Sequence, residues 1–398
     1  MHKYSLLALV AFCAVPVVAA QAAPVLTQFH HGPDHTGVFE GANPGNMIKT
    51  LWTYDDGGYT ISSPIVADGV LYIGTKTGNL DAVDAASGKR LWRFQADDGI
   101  TATPAVANGV VYFQSATNTV YAVDAKRGQV VWRRATGATV IYHSMMEGFP
   151  EGTNWDYWTS SPLYADDTIY IGSGDSNVYA LGARDGHVKW TFKTGNRVRA
   201  TPATEGNRIY VGSFDGYMYA LDPKSGKLDW SFKTKGNQYF KIGAIQGAAA
   251  VSDGVVVFGS RDFNEYALDA RTGKELWEDL HKDSWAGPTA PAILDGKAYV
   301  PSSDAHFIRC NDLRTGKTYW TAPTDSNVFS APAIAGDSLY AGTFGGTFAR
   351  IKLADAKTGG LILQERIYTS PWLEGSVAYF ATSDGIVYAV TNGTMPKS

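Results

Sequence analysis

Residues 217–230 read YMYALDPKSGKLDW. Ala220, Asp222, Gly226 and Trp230 hold a fixed spacing, A-x-D-x-x-S-G-x-x-x-W. The phrase recurs along the chain, and its tryptophan serves as a ruler. It falls at Trp52, Trp92, Trp132, Trp190, Trp230, Trp277 and Trp320, with Leu363 expected in the eighth place, four residues after Gly359. The steps are 40, 40, 58, 40, 47, 43 and 43 residues. A period near 40 with about four strands per unit is the signature of propeller blades.

One unit can be read strand by strand. Residues 62–67 (SSPIVA) predict an inner strand and Asp68-Gly69 a tight hairpin turn. VLYIGT, from Val70, predicts the second strand. NLDAVD, from Asn79, alternates with period two and predicts the third. Asp84 to Gly88 form a turn, in which the Asp side chain accepts backbone N–H bonds and the Gly takes the left-handed position. KRLWRF is the outer strand. Seven further units open in the same way. The last one stops after its third strand, while residues 48–54 (IKTLWTY) form an outer strand with no unit of its own. The expectation is an all-β, eight-bladed propeller with four antiparallel strands per blade, its last blade completed by the N-terminal strand. Closure of this kind removes the open edge that invites aggregation.

The opening residues read as a targeting segment. His2 and Lys3 precede an apolar run from Leu6 to Ala20, then Ala20-Gln21-Ala22, an A-x-A cleavage pattern. Residues 1–22 are therefore expected to be a removed secretory signal, 23–47 a cap segment and 48–398 the propeller. This places the chain in the periplasm or outside the cell. The run is short for a membrane span, and Phe12 before Cys13 argues against a lipid anchor. The mature chain then keeps only Cys310, which excludes an internal disulfide and reads as a small buried hydrophobe. A net charge of -4 without clustered Lys and Arg gives no reason to expect nucleic acid. FHHGPDHTG carries His30, His31 and His35 before the first strand and reads as a capping tail, with no metal site predicted.

The repeat resembles the tryptophan-docking repeat of the pyrroloquinoline-quinone (PQQ) type eight-bladed propellers, over about residues 45–392. Clear copies are Ala82/Asp84/Gly88/Trp92, Ala122/Asp124/Gly128/Trp132, Ala220/Asp222/Gly226/Trp230 and Ala267/Asp269/Gly273/Trp277. Weaker ones are Ala180/Gly182/Gly186/Trp190, Asp312/Gly316/Trp320 with Cys310 at the Ala position, and Asp355/Gly359/Leu363. The resemblance implies that each Trp docks on the neighbouring blade. It also raises a PQQ dehydrogenase, but the adjacent cysteines that generally accompany that activity are missing. PQQ with calcium is accordingly disfavoured, and no cofactor is predicted. In size the chain resembles the outer-membrane-protein assembly factor B type, without its lipid anchor.

Function should lie where the repeat breaks. The turns after second and fourth strands hold both long insertions, one after Trp132 and one after Trp230. Counting back from the S/T/A-x-P prolines lays out the channel wall. One ring holds Ser63, Thr103, Ser161, Thr201, Ala248, Ala290, Ala331 and Ser370. The next holds Ile61, Thr101, Thr159, Arg199, Gln246, Pro288, Phe329 and Tyr368. The outermost includes Tyr59, Tyr157, Arg197 and Arg366. Candidate ligand-binding residues are Arg197, Arg199, Gln246, Arg366, Tyr157, Trp158 and Trp285, since Arg forks bind oxyanions and Trp faces stack on rings. The same arginines could instead pair with Asp98, Asp156, Asp325 or Glu365 and close the hole. His143 and Tyr368 are the candidate catalytic pair for acid–base chemistry.

Three functions follow. A binding or assembly scaffold working through its long-loop face ranks first, because the repeat supports a fold and nothing supports a reaction. An acid–base enzyme of lyase, isomerase or hydrolase type, acting on a sugar or other oxyanion in the funnel, is the alternative. A PQQ-dependent dehydrogenase is the third. The partners expected are a protein or a small oxyanionic or sugar ligand, on a monomeric chain.

Overall fold

The computed structural model describes residues 26–47, 49–139, 158–282 and 284–392. Eight antiparallel sheets surround a central channel, and no helix is present among these residues. Blade 1 is built from Ile65–Ala67, Val70–Gly74, Asn79–Asp84 and Arg90–Gln95. Blades 2 to 7 repeat this order, and blade 8 joins Trp372–Glu374, Val377–Ala381 and Ile386–Thr391 to the N-terminal strand Lys49–Asp55. Trp52 lies opposite Ala389 there, as Trp92 lies opposite Ala82 in blade 1. Inner strands are shorter than the sequence suggested, because residues such as Ser62 and Ser63 bond across to neighbouring blades instead of along a ladder.

The opening phrase can now be assigned atom by atom. Asp222 Oδ1 accepts from the Ser225 N–H and hydroxyl, closing the turn. Gly226 has φ +67°, and an added Cβ would lie 2.6 Å from the Trp190 ring of the preceding blade. Trp190 Nε1 donates to the Pro223 carbonyl at 2.8 Å, and the Tyr170 hydroxyl donates to the same oxygen at 3.1 Å. Trp230 repeats the contact one blade on, with Ala270 as acceptor. Each indole thus brings a large apolar face and one hydrogen bond to a seam that has no ladder bonds.

Blade 7 departs from the expected pattern. Leu363 does not take the eighth tryptophan's place, and Gly359 is not its turn glycine. Tyr340 pairs with Arg350, as Tyr72 pairs with Ala82, so Arg350 holds the Ala position. The Ala356 N–H closes the turn onto the Lys352 carbonyl, with Ala356 at φ 60°. Gly359 then stands opposite Arg350, where the other outer strands carry Trp, and the usual bulge is missing. Strand pairing sets this register, and the Asp355–Gly359 spacing only mimics the motif. The gap is met by the N-terminal segment: the Tyr340 hydroxyl donates to Gly45 O, and Arg350 donates to Asn46 Oδ1.

That segment runs once around the short-turn face. Leu26 and Thr27 pair with the inner strand of blade 2. Gln28 Oε1 accepts from Tyr164 N of blade 3. The carbonyls of Pro33, Asp34, Thr36 and Gly37 then accept from Thr204, Val251, Ile293 and Ile334, on blades 4 to 7 in turn. Asn43 N reaches Gly375 O of blade 8. Inner strands would otherwise present unpaired edges to the channel, and the belt satisfies one N–H on each of blades 3 to 7 and a carbonyl on blade 8. His30 and His35 fasten it, donating to the Pro332 and Ala249 carbonyls at 2.6 and 3.0 Å.

Candidate functional site

The belt makes the channel one-ended. Phe29 packs with Ala248, Ala290 and Ala331 and forms the floor of a chamber of 70 Å³. Its wall holds Ser63, Thr103, Ser161, Thr201 and Ser370, with Thr101, Thr159, Arg199 and Gln246 one step outward. These are the rings counted from the prolines, in the expected register. Above it opens a chamber of 360 Å³ lined by Tyr59, Lys76, Trp158, Trp285, Phe329, Phe344, Arg366 and Tyr368.

The upper chamber is an aromatic cage. Phe329 lies 5.8 Å from Tyr368, 6.0 Å from Trp158 and 6.4 Å from Trp285, between ring centroids. Tyr368 meets Phe344 edge-on at 5.5 Å. Cations sit over the faces of three of the surrounding rings. Arg366 lies 4.3 Å from the Phe344 centroid, Lys76 4.8 Å from Tyr59 and Arg261 4.1 Å from Trp285. Burial pulls the Lys76 ammonium below its usual range. Arg261 also donates to Gln246 Oε1 at 2.5 Å, and Arg199 to Asn118 Oδ1 at 3.2 Å. Both guanidiniums are buried, at 4% and 7% exposure. Positive charge held at aromatic faces in the funnel favours an anionic, ring-bearing guest.

The structure therefore brings together Arg199, Gln246, Arg366, Trp158, Trp285 and Tyr368. Arg197 turns aside: it is buried, lies 4.6 Å from the Phe214 ring and lines neither chamber. His143 and Tyr157 lie outside the described residues, as does Asp156. Two proposed arginine partners are occupied elsewhere, Asp98 with Gly99 N and Asp325 with the Thr347 hydroxyl. Sequence reasoning missed Arg261, Lys76 and Phe344. All three hold the second place of the turn after the second strand, the x of S/T-x-D/T/G-x. That place reads Lys76, Ala116, Gly174, Phe214, Arg261, Asp304, Phe344 and Ser383 around the ring. Variation inside an otherwise constant turn was the available signal.

The quinone cofactor raised by the repeat can be tested against these residues. The cationic, aromatic lining suits a planar anionic quinone. Calcium asks for six to eight oxygen ligands. Among the described residues, no group of three His, Cys, Asp or Glu gathers to supply them. Asp304, on the wall beside Arg261 and Trp285, is bonded by the Asn327 amide at 2.8 Å. The described residues do not fit the metal-bound form, and no quinone step is derived.

Comparison with known proteins agrees with the fold. BamB from Moraxella catarrhalis superposes with a TM-score of 0.70 at 15% identity, over 88% of this chain and 99% of that one. Quinohemoprotein alcohol dehydrogenase from Comamonas testosteroni gives 0.76 at 14% identity, over 94% and 81%. In sequence, quinohemoprotein alcohol dehydrogenase ADH-IIG of Pseudomonas putida is 26% identical over 178 residues, 42% of this chain. The matched stretch spans only 20% of that relative. With matches over residues 49–147, 134–284 and 266–394, the chain belongs to the PQQ-like propeller family described as outer membrane protein assembly factor BamB.

Proposed function

We propose that this is an exported binding propeller that captures a small ring-bearing oxyanion in its one-ended funnel. One observation carries the reading: the channel is floored by Phe29, Arg199 lines the chamber above that floor, and the open end gathers Arg366 with Trp158, Trp285 and Tyr368. A filler that only closed a hole would need apolar bulk, not guanidiniums aimed along aromatic faces. Trp158 and Trp285 stack on the guest, while Arg199 on the wall below meets its charge. Export to the periplasm is part of the proposal, supported by the N-terminal leader and by a family named for outer-membrane assembly.

Calorimetry with aryl carboxylates, aryl phosphates and their neutral analogues tests this reading. Anions should bind and neutral analogues should not. Arg199→Ala should lower affinity by about ten- to hundredfold, the usual worth of a hydrogen bond to a charged group. Equal affinity for neutral and anionic members would sink it. The assembly-scaffold reading keeps support from the family name and from the loops clustered at the mouth. Site-directed crosslinking from Tyr239 or Ile242, both exposed on the loop after Trp230, distinguishes it. A saturable protein adduct supports it, and unchanged crosslinking with and without the host envelope fraction speaks against it. Tyr368 touches only rings among its described contacts, which lends the acid–base alternative no support.

A further inference from the structure

The hydroxyls at the base of the funnel do two jobs at once. Ser63 Oγ accepts from Ser370 N, Ser370 Oγ from Ala331 N, Ser161 Oγ from Thr103 N and Thr201 Oγ1 from Ser161 N, all between 2.8 and 3.1 Å. Each oxygen thus ties its blade to a neighbour as an acceptor. A hydroxyl also owns one proton to donate. None of these four protons has an acceptor in the protein among the described residues, and all four side chains line the same 70 Å³ chamber. Accepting from a backbone N–H also polarises the O–H bond and strengthens it as a donor. The result is a ring of donors around a space of 70 Å³, enough to hold water or a small anionic group. Arg199 stands one step outward on the same wall. Such a ring offers nothing to an apolar guest. It matches the oxygens of one carboxylate, sulfate or phosphate group.

We infer that the lower chamber is an oxyanion cup, and that the funnel's ligand enters anion first, leaving its ring in the aromatic cage above. The inference rests on the funnel being a ligand site, and it reverses the orientation that rim cations alone would favour. The two orientations separate with phenyl phosphate as probe, phenol as its neutral control and inorganic phosphate as competitor. Wild-type protein should bind phenyl phosphate, and inorganic phosphate should compete. Ser161→Ala should weaken phenyl phosphate about fivefold or more, the loss of one donor to a charged group. Ser161→Thr, which keeps the hydroxyl, should restore it to within about twofold. Arg366→Ala, at the exposed rim, should weaken binding less than Ser161→Ala does, because exposed charge pairs are weak. If Ser161→Ala fails to fold, Ser370→Ala reads the same ring from the other side. Loss of binding in Arg366→Ala with none in the serine variants would overturn the cup and leave the funnel reading standing. Failure of phenyl phosphate to bind the wild-type protein would remove both.

Discussion

The seam between blades 1 and 2 and the seam between blades 5 and 6 use the same strand positions for opposite chemistry. In the first, Phe94 packs beside Leu80 and meets Phe113 and Tyr121 of the next blade at 5.9 and 5.6 Å. In the second, register puts Glu265 at the place of Leu80, Asp279 at that of Phe94 and Arg309 at that of Tyr121. Asp279 is bonded by Arg309 at 2.6 Å and Asn311 at 3.1 Å. Glu265 is buried with both oxygens lacking a hydrogen-bond partner among the described residues, and burial holds its carboxyl well above the usual range. Yet both seams keep the outer dock, Trp92 on Ala125 O and Trp277 on Leu313 O. The lesson is that the dock holds the blades together, which frees the mouth-side half of each seam to vary.

The sharpest way to break that comparison is to remove the dock from each seam. Trp92→Ala and Trp277→Ala should each cost ~3–5 kcal/mol in denaturant melts. If Trp277→Ala were nearly neutral, the polar seam would be holding itself. Acid should attack a different fastening. Burial lowers His30 to about 4 and His35 to about 3. Both sites are neutral above pH ~6.5 in either state, so stability is full there. As pH falls from that value toward the folded values, only the unfolded chain takes up protons, and stability drops by ~3 kcal/mol or more per histidine. His30→Gln should flatten the slope, and a slope unchanged by that variant would exclude the belt as its source. Glu265→Leu should stabilise by ~1–3 kcal/mol, since an unsatisfied buried carboxyl is replaced by the residue other blades favour. The carboxyl's folded value is raised, so its contribution is present below the unfolded pKa and lost as pH rises. The gain should therefore be least near pH 4 and grow toward neutrality. The smallest effect is expected at the seam without an indole: Tyr340→Phe should cost ~1 kcal/mol, one hydrogen bond to Gly45.

Much of the ring was legible because it is written locally. Alternation, turn glycines and the S/T/A-x-P prolines each speak about a few neighbouring residues, and together they placed Ser63, Arg199, Gln246 and Tyr368 on the channel wall. Blade 7 was misread because its register depends on Tyr340 finding Arg350, a pairing no short motif announces. Arg261 was missed because its turn looked generic, and its importance comes from Trp285, which lies 24 residues further along the chain and arrives from the next blade. The belt's path was hidden for the same reason. Residues 26–43 spell no strand pattern, since each bonds a different partner.

That belt has a kinetic consequence. Pro33, Asp34, Thr36 and Gly37 are made early but bond to Thr204, Val251, Ile293 and Ile334, and Lys49–Asp55 waits for Ile386–Thr391. Contacts of such sequence separation slow folding, because loop entropy is lost before they form. Blades can assemble one after another as hairpins, but the floor of the funnel cannot be laid until the last of them exists. A binding-competent cup should therefore appear only in the slowest refolding phase, together with burial of Phe29.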